Sequence, residues 1–600
     1  MFFRAGLGPV EKALVYQSVM DHSTSTQMIR ARFSTTTHRC FAYFVPLLGA
    51  VLLSACANQP VNPNPVSKPP TNSPVTAKVA STPPSEKPPI APFVPQIPGS
   101  PIGPANPSLA LTPPSVLASA LTIPREFRAA WVATVANIDW PSQKGLSAEA
   151  QRAEIAAIVN KAKQIGLNSL IVQVRPSADA IYPSSIEPWT EFLSGEQGRP
   201  PQWSNPNADN LAFDPLQTWV RLAHESGIAL HAWFNPYRAS HPSATSPFAD
   251  NHVSRTNPNI VRTYDKYLWL DPGSPEAAQR TLAVIMDVVN RYDIDGVHID
   301  DYFYPYPVKD IEFPDNAFWD AYRAKNPNAL LADWRRQNVN QLVARIHTSI
   351  HEKKPWLQFG ISPFGIGKPS LRPAQIKGFS QYDSLYADVE LWLSKGWLDY
   401  LAPQLYWPID QAPQAFSTLL DYWSGQNPAK RFIWPGLFTS KIDATPTSWM
   451  TAEIIDQIQI MREKQKVDAL VNGHMHFSMA AIMQNRRGIA DQLQLAYAGP
   501  AISPVTNIPT ANVPSIKNTV LPVIALVGTS QMTVSIPNTA MIRLIAVWTK
   551  TAQGWRYSLR DVQNCPCTFN FDSDVLALAV ATINRFNVQS SPVELIIEKK

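Results

Sequence analysis

Between Arg125 and Gly499, short runs of β-branched and aromatic residues alternate eight times with stretches whose apolar residues recur at three- and four-residue spacing. Strand-like runs fall near Arg128–Val135, Ser169–Arg175, Ala229–Asn235, Gly296–Asp301, Gln358–Pro363, Tyr400–Tyr406, Phe432–Phe438 and Ala469–His474. Helical stretches separate them, among them Ala148–Ile165, Pro215–Glu225, Pro275–Tyr292, Trp334–His351, Tyr382–Leu393 and Ala452–Lys464. Eight βα units in about 375 residues predict an α/β fold of the (β/α)₈ TIM barrel type, with the surplus length in the βα loops. An open doubly wound sheet is the alternative topology, but no glycine-rich phosphate fingerprint follows the first strand, which argues against a nucleotide site.

The barrel pattern occupies residues 124–502 of a 600-residue chain, and the flanks read differently. Phe41–Ala55 is apolar, follows Arg30, Arg32 and Arg39, and ends in small residues before Cys56. That is the layout of a secretory signal, too short for a permanent membrane span. Leu53-Ser54-Ala55-Cys56 resembles a bacterial lipobox, so residues 1–55 are expected to be a lipoprotein signal, with Met28 as an alternative start and Cys56 as the lipidated residue. Ala57 resembles the pattern of lipoproteins delivered to the outer membrane, the expected location, facing the periplasm. From Ala57 to Pro124 the chain carries 19 of its 57 prolines among Ser, Thr, Asn and Ala, so residues 56–123 are expected to be an extended tether. At about 3.1 Å per residue it could reach on the order of 200 Å.

After a proline-rich hinge around Ser503–Pro514, residues 503–600 carry short alternating runs bounded by turns, the signature of a small antiparallel sandwich. Ala577–Val593 resembles the last hairpin of a fibronectin type III domain. Cys565 and Cys567 flank Pro566, a spacing at which a mutual disulfide is geometrically demanding; free thiols are the other reading.

The 51 basic and 46 acidic residues nearly balance, leaving no dense basic surface of the kind nucleic acid requires. Eighteen tryptophans supply the flat faces on which sugar rings stack. In barrel enzymes the site forms from the C-terminal strand ends and the loops after them. The fourth strand ends Asp295-Gly-Val-His-Ile-Asp300-Asp301-Tyr302, which places two adjacent carboxylates and a tyrosine at the mouth. Asp300 and Asp301 are therefore the expected catalytic pair: repulsion between close carboxylates raises one pKa, so one member can donate a proton while the other stays charged. Such a pair suits glycoside hydrolysis, including the version in which a 2-acetamido group is the nucleophile. In amylases an Asp at the Asp300 position is the nucleophile, and chitinases carry a Glu acid where this chain has Tyr302.

Other strand ends supply Trp131, Arg175, Asp179, Trp233, Asn235, Gln404, Tyr406 and Trp407, which with Tyr302 are expected to bind sugar. Trp131, Trp233 and Trp407 would stack, and Arg175, Asp179, Asn235, Gln404 and Tyr406 would orient hydroxyls. No metal or other cofactor is expected, because His474 and His476 have a pairing spacing but no third ligand at hand. His298, mid-strand and inward-facing, reads at least as well as a satisfied core histidine as a catalytic one. No serine lies on a nucleophile elbow.

Several of these motifs occur together and in order: Pro124–Pro141 with its Ala-Ala-Trp131 and Asn137-Ile-Asp139-Trp, then Gln173-Val-Arg-Pro-Ser-Ala-Asp179, Trp233-Phe-Asn-Pro-Tyr-Arg238, Asp295–Pro305 and Pro403-Gln-Leu-Tyr-Trp407. Over roughly residues 124 to 500 this set resembles the glycosyl-hydrolase-like family that includes divisome-localised peptidoglycan glycosyl hydrolase lipoproteins. The resemblance implies a barrel that cuts the glycan strands of peptidoglycan, particularly strands stripped of stem peptides, during cell separation. The lipid anchor to the membrane, the long tether and the trailing sandwich also resemble that family's architecture, and division-site proteins are a candidate partner of the C-terminal domain. A hydrolase of secreted poly-N-acetylglucosamine or glucan, and a non-catalytic glycan-binding scaffold, are the alternatives.

Overall fold

The computed structural model describes residues 121–205, 212–506, 520–562 and 565–597. The signal, Cys56 and the proline-rich tether as far as residue 120 lie outside the described residues, while Leu121 and Ile123 at its expected end are buried. Eight parallel runs form the main sheet: β1 (Phe127–Val132), β2 (Ser169–Arg175), β3 (Ala229–Phe234), β4 (Gly296–Ile299), β5 (Gln358–Ile361), β6 (Tyr400–Leu401), β7 (the segments Phe432–Ile433 and Gly436–Leu437) and β8 (Gly473–His476). The order runs from Phe432–Ile433 through β6, β5, β4, β3, β2, β1 and β8 to Gly436–Leu437. Both ends of that order are halves of β7, so the sheet closes on itself as a barrel. The first half of β7 pairs with β6 and the second with β8, because Pro435 between them cannot donate to a ladder.

A helix follows each strand: α1 (Ala148–Ile165), α2 (Pro215–Glu225), α3 (Pro275–Arg291), α4 (Leu331–Lys353), α5 (Val389–Lys395), α6 (Phe416–Gly425), α7 (Thr451–Gln465) and α8 (Ile489–Tyr497). Their limits were legible because local chemistry sets them. Ser147, Asp214 and Ser274 cap α1, α2 and α3 through their side-chain oxygens, Pro215 and Pro275 occupy first helical turns, and Gly166 ends α1 at a φ of 89°. The stretch expected as one helix over Tyr382–Leu393 is instead two pieces, Gln381–Ser384 and α5. Tyr386, at a φ of 55°, breaks the first, and Asp388 caps the second.

Two apolar clusters divide the barrel residues by strand parity. One lies between the strands and their helices; the other fills the barrel interior with Phe127, Ala129, Trp131, Ile171, Trp233, Tyr400, Trp434 and Met475. Within that interior the Tyr400 ring crosses Gly360, where an added Cβ would stand 1.8 Å from the ring. We expect Gly360→Ala to lower stability by about 3 kcal/mol or more, measured by denaturant unfolding, because neither the interior strand nor the packed tyrosine has room to retreat.

The C-terminal sandwich contains β9 (Val523–Val527), β10 (Gln531–Ser535), β11 (Ile542–Thr551), β12 (Gly554–Asp561), β13 (Cys567–Asn570), β14 (Ala577–Asn584) and β15 (Val593–Ile596). These form a three-stranded sheet, β9-β10-β13, and a four-stranded sheet, β12-β11-β14-β15, antiparallel throughout. The fibronectin-like sandwich expected from the alternating runs is therefore present. Cys565 and Cys567 are disulfide-bonded to each other.

The expected hinge around Ser503–Pro514 begins with packed residues, and from residue 507 it lies outside the described residues. Thr506 donates its backbone N–H to the Phe586 carbonyl, Asn587 donates to the Pro504 carbonyl, and Ile502 packs with Leu121 and Ile123 against Leu544 and Trp548. Barrel and sandwich share one compact unit. The Arg585–Asp293 ion pair at 2.7 Å joins the sandwich to the turn entering β4. It thus meets the N-terminal ends of the strands, away from the mouth.

Candidate active site

Along β4, alternate side chains point inward, so His298 and then Asp300 face the barrel axis while Val297 and Ile299 pack outward. Parity on β3 does the same for Trp233 and Asn235. The two strands are neighbours in the sheet. Their ends consequently meet: Asp300 accepts hydrogen bonds from the Trp233 indole N–H at 3.0 Å and from the Asn235 amide at 3.1 Å. Asp301, just past the strand, turns the other way, accepts the Tyr306 hydroxyl and lies against the Gln404 amide. Both carboxyl groups are buried.

Burial pushes the Asp300 carboxyl up to about 7; the Arg238 guanidinium opposes that rise and the charge of Asp301 adds to it. Burial also raises Asp301, against the Tyr306 hydrogen bond. The pair is thus poised to hold a proton near neutral pH, a coupled arrangement in which one member donates while its neighbour carries charge. Arg238 is itself buried, its Nε donating to the Pro176 carbonyl and its guanidinium centre 4.8 Å from the Tyr302 ring centroid.

Around this pair the half-buried rings of Tyr302, Tyr306, Phe379, Tyr406, Trp407 and Phe438 line the mouth. Tyr306 stacks on Phe379 with centroids 5.3 Å apart, and Tyr406 on Phe438 at 4.9 Å. Aromatic faces beside buried carboxylates are what a sugar-binding cleft requires. Tyr302, Gln404, Tyr406 and Trp407 are therefore gathered with Asp300 and Asp301, as the strand-end reading expects; Asn235 is wholly buried beside them, its amide given to Asp300 and its oxygen accepting the Tyr237 and Arg238 backbone N–H groups, so it holds the carboxylate rather than a sugar hydroxyl.

Four other expected sugar contacts are not of that kind either. Trp131 and Trp233 are 2% and 3% exposed and belong to the packed interior, so neither offers a face to a ring. Trp131 donates its N–H to His298 at 3.2 Å, and Trp233 serves the site through the same group on Asp300. Arg175 forms a two-pronged ion pair with Glu187, at 2.6 and 2.8 Å, with both side chains wholly buried. Its remaining nitrogen donates to the Asn235 and Pro236 carbonyls, so it fixes the end of β3 rather than a hydroxyl of the substrate. Asp179 is also buried, accepts the Ser177 backbone N–H, and is pushed by burial up to about 6. It ties down the β2 loop.

The histidines resolve similarly. His298 meets the Tyr400 hydroxyl at one ring nitrogen and the Ser362 hydroxyl at the other, and burial holds it well below its usual range, so it is a neutral core histidine. His474 and His476 both point to the Tyr497 hydroxyl, at 2.7 and 2.8 Å, which accounts for their alternate spacing without an ion. Sequence reasoning did not single out Tyr306, Arg238 or Glu187 as site or support residues. Tyr306 lay in the aromatic run after Tyr302 and Arg238 in a quoted motif, whereas nothing local marks Glu187, twelve residues beyond its partner.

The glycosyl hydrolase-like 10 model matches residues 126–468, which span the strands and loops that build this site. The chain belongs to that glycosyl hydrolase-like family. Glycosyl hydrolase YngK of Bacillus subtilis is 39% identical over 389 residues, covering 63% of this chain and 73% of that protein. Glycosyl hydrolase DigH of Escherichia coli K12 is 34% identical over 318 residues, 50% of this chain and 69% of that one. Among solved structures, the β-amylase catalytic domain of Paenibacillus polymyxa aligns over 62% of this chain and 98% of its own, at 11% identity and a TM-score of 0.39. The matched segment contains the carboxylate pair at the end of β4 and the aromatic residues at the mouth.

Removing the Tyr306 hydroxyl takes away the hydrogen bond that holds the Asp301 pKa down. In Tyr306→Phe the alkaline limb of the pH–rate profile should move to higher pH, because the coupled pair then keeps its proton longer. A profile of kcat/KM against pH for variant and wild type checks this.

Proposed function

We propose that the protein hydrolyses the glycan strands of peptidoglycan, preferentially strands stripped of stem peptides, in wall remodelling at division. The observation that carries the reading is the buried Asp300–Asp301 pair, one member raised to about 7, set beside half-buried aromatic rings. Peptidoglycan sugars carry 2-acetamido groups. In the proposed reaction the protonated member of the pair gives its proton to the leaving glycosidic oxygen. The charged neighbour polarises the acetamido group, whose carbonyl oxygen attacks the anomeric carbon. Water then opens the cyclic intermediate, returning the proton to the carboxylate that gave it. Asn235 and the Trp233 N–H hold Asp300 in place through this sequence.

The signal-like Phe41–Ala55 run and Cys56 support attachment to the outer membrane on its periplasmic side, and the tether would let the barrel reach the wall. The sandwich, lying away from the mouth, is free of the substrate path and suits contact with division-site proteins. Incubating the chain from residue 121 onward with intact sacculi and with amidase-treated, peptide-free strands tests the reading. Release of short disaccharide-repeat products from the stripped strands, identified by mass spectrometry, is the expected result. Strands that co-sediment with the protein yet stay uncut would instead indicate a binding scaffold, and cleavage of poly-N-acetylglucosamine or glucan alone would move the substrate.

A further inference from the structure

At the end of the barrel opposite Asp300, two histidines one turn apart on α4 approach the residue that leads into β6. His347 and His351 share one face of the helix, with ring centroids 4.3 Å apart. Ligand atoms of His347, His351 and Asp399 all lie within 4.8 Å of one another. We propose that these three side chains form a binding site for a divalent cation of the zinc class, separate from the glycosidase centre.

The hydrogen bonds around the cluster prepare it for that role. The Nδ1 of His351 is 2.7 Å from the His347 carbonyl, an acceptor only, so Nδ1 carries the proton and donates. The Nε2 lone pair is then directed at the Asp399 carboxylate, with Nε2 and Oδ2 separated by 3.1 Å. Two acceptors facing each other at that distance need a positive occupant between them. Two donors bound to one tetrahedral zinc, each about 2.0–2.1 Å from it, stand about 3.3 Å apart, close to the separation seen. Asp399 is oriented independently: its Oδ2 accepts the Phe359 backbone N–H at 2.7 Å, and Arg431 lies 3.8 Å from Oδ1. Backbone-fixed histidine and carboxylate ligands of this kind are the usual outer support of a metal site.

His347 supplies the third ligand; among the described residues its ring nitrogens have no hydrogen-bond partner. Both histidines are half-buried, so an ion can reach them, and a fourth position remains for water. The sequence expectation of no metal rested on His474 and His476, not on this cluster. A spacing of forty-eight residues between His351 and Asp399 hides the cluster from motif reading. Because it lies at the N-terminal ends of the strands, an ion here would clip α4 to β6 and act on stability.

The competing occupant is a second proton on His351, which would make a plain ion pair with Asp399. The test uses the full chain purified without a histidine tag, stripped with chelator, exposed to zinc and desalted. Wild type should retain roughly one zinc per chain and melt at a higher temperature with the metal than without. His347→Gln and His351→Gln should lose both effects. In the cobalt-loaded wild type, visible d–d absorption should appear and be missing from both variants, which reads the site directly without relying on stability. Equal zinc retention by wild type and variants, or none by wild type, would overturn the proposal and leave the imidazolium pair.

Discussion

Asp300→Asn is expected to lower kcat/KM on peptide-free glycan strands by about 10³-fold or more while leaving strand binding largely intact. The reason is local. Asp300 is the member of the pair whose proton affinity is raised most clearly, to about 7, and whose carboxylate is held by the Trp233 and Asn235 donors. The amide keeps the shape but can neither give an acidic proton to the leaving oxygen nor carry the charge that polarises an acetamido group. Product release assayed beside co-sedimentation separates lost chemistry from lost binding; a variant that still cleaves at a tenth of the wild-type rate would remove Asp300 from the reaction.

The same substitution has a stability signature of opposite sense. The carboxyl titrates at 3.8 in an unfolded chain and near 7 in the fold, so the folded protein binds the extra proton between those values. Its contribution is fully present below about pH 4 and is lost as pH rises through 7. Asparagine has no proton to lose. The melting temperature of the variant, relative to wild type, should therefore climb as pH goes from about 4 to about 8. Loss of activity with a relative gain in stability at alkaline pH is what a residue buried for chemistry should show.

Arg175→Ala should lower stability by about 3–5 kcal/mol, the largest such effect expected here for a residue outside the apolar core. Truncation leaves the Glu187 carboxylate buried without its two-pronged partner, and frees the Asn235 and Pro236 carbonyls that the guanidinium now holds. Chemical unfolding of the soluble chain measures it. Replacing both partners with apolar residues, Arg175→Met with Glu187→Leu, should recover part of the loss, because the Arg175–Glu187 charges go together while Arg280, 3.5 Å from Glu187, loses its carboxylate and keeps the Ile186 carbonyl. An Arg175→Ala protein of unchanged stability but much higher KM would restore the sugar-binding role suggested by its motif.

The contrast between Arg175 and Asn235 explains how far the site could be read without the fold. Both stand at strand ends in polar motifs, and both looked fit for hydroxyl recognition. Their partners separate them: Glu187, a residue in the β2 loop with no motif of its own, captures the guanidinium and removes it from the cleft, whereas Asn235 gives its amide to Asp300 and stays part of the site as its support. Trp131 and Trp233 were misassigned for a related reason: an aromatic ring at an inward position can plug a barrel or line its mouth, and only its depth along the axis distinguishes the two. Tyr406 and Trp407 lie beyond the end of β6 and remain half-buried; Trp131, whose ring neighbours are His298 and Phe477, and Trp233, whose N–H is given to Asp300, are packed inside the barrel.

Local chemistry in the chain determined the eight strands, their helices, the caps of α1, α2 and α3, the C-terminal sandwich and the carboxylate pair. Each rests on short-range periodicity, on a side chain bonding its own backbone, or on two adjacent residues at a strand end. Tertiary structure alone decided the closure through a proline-split β7, the capture of Arg175 by Glu187, the donors on Asp300, and the meeting of His347 and His351 with Asp399. Those depend on distances between residues far apart in sequence. Such distances are set by packing and barrel register, and no local pattern encodes them.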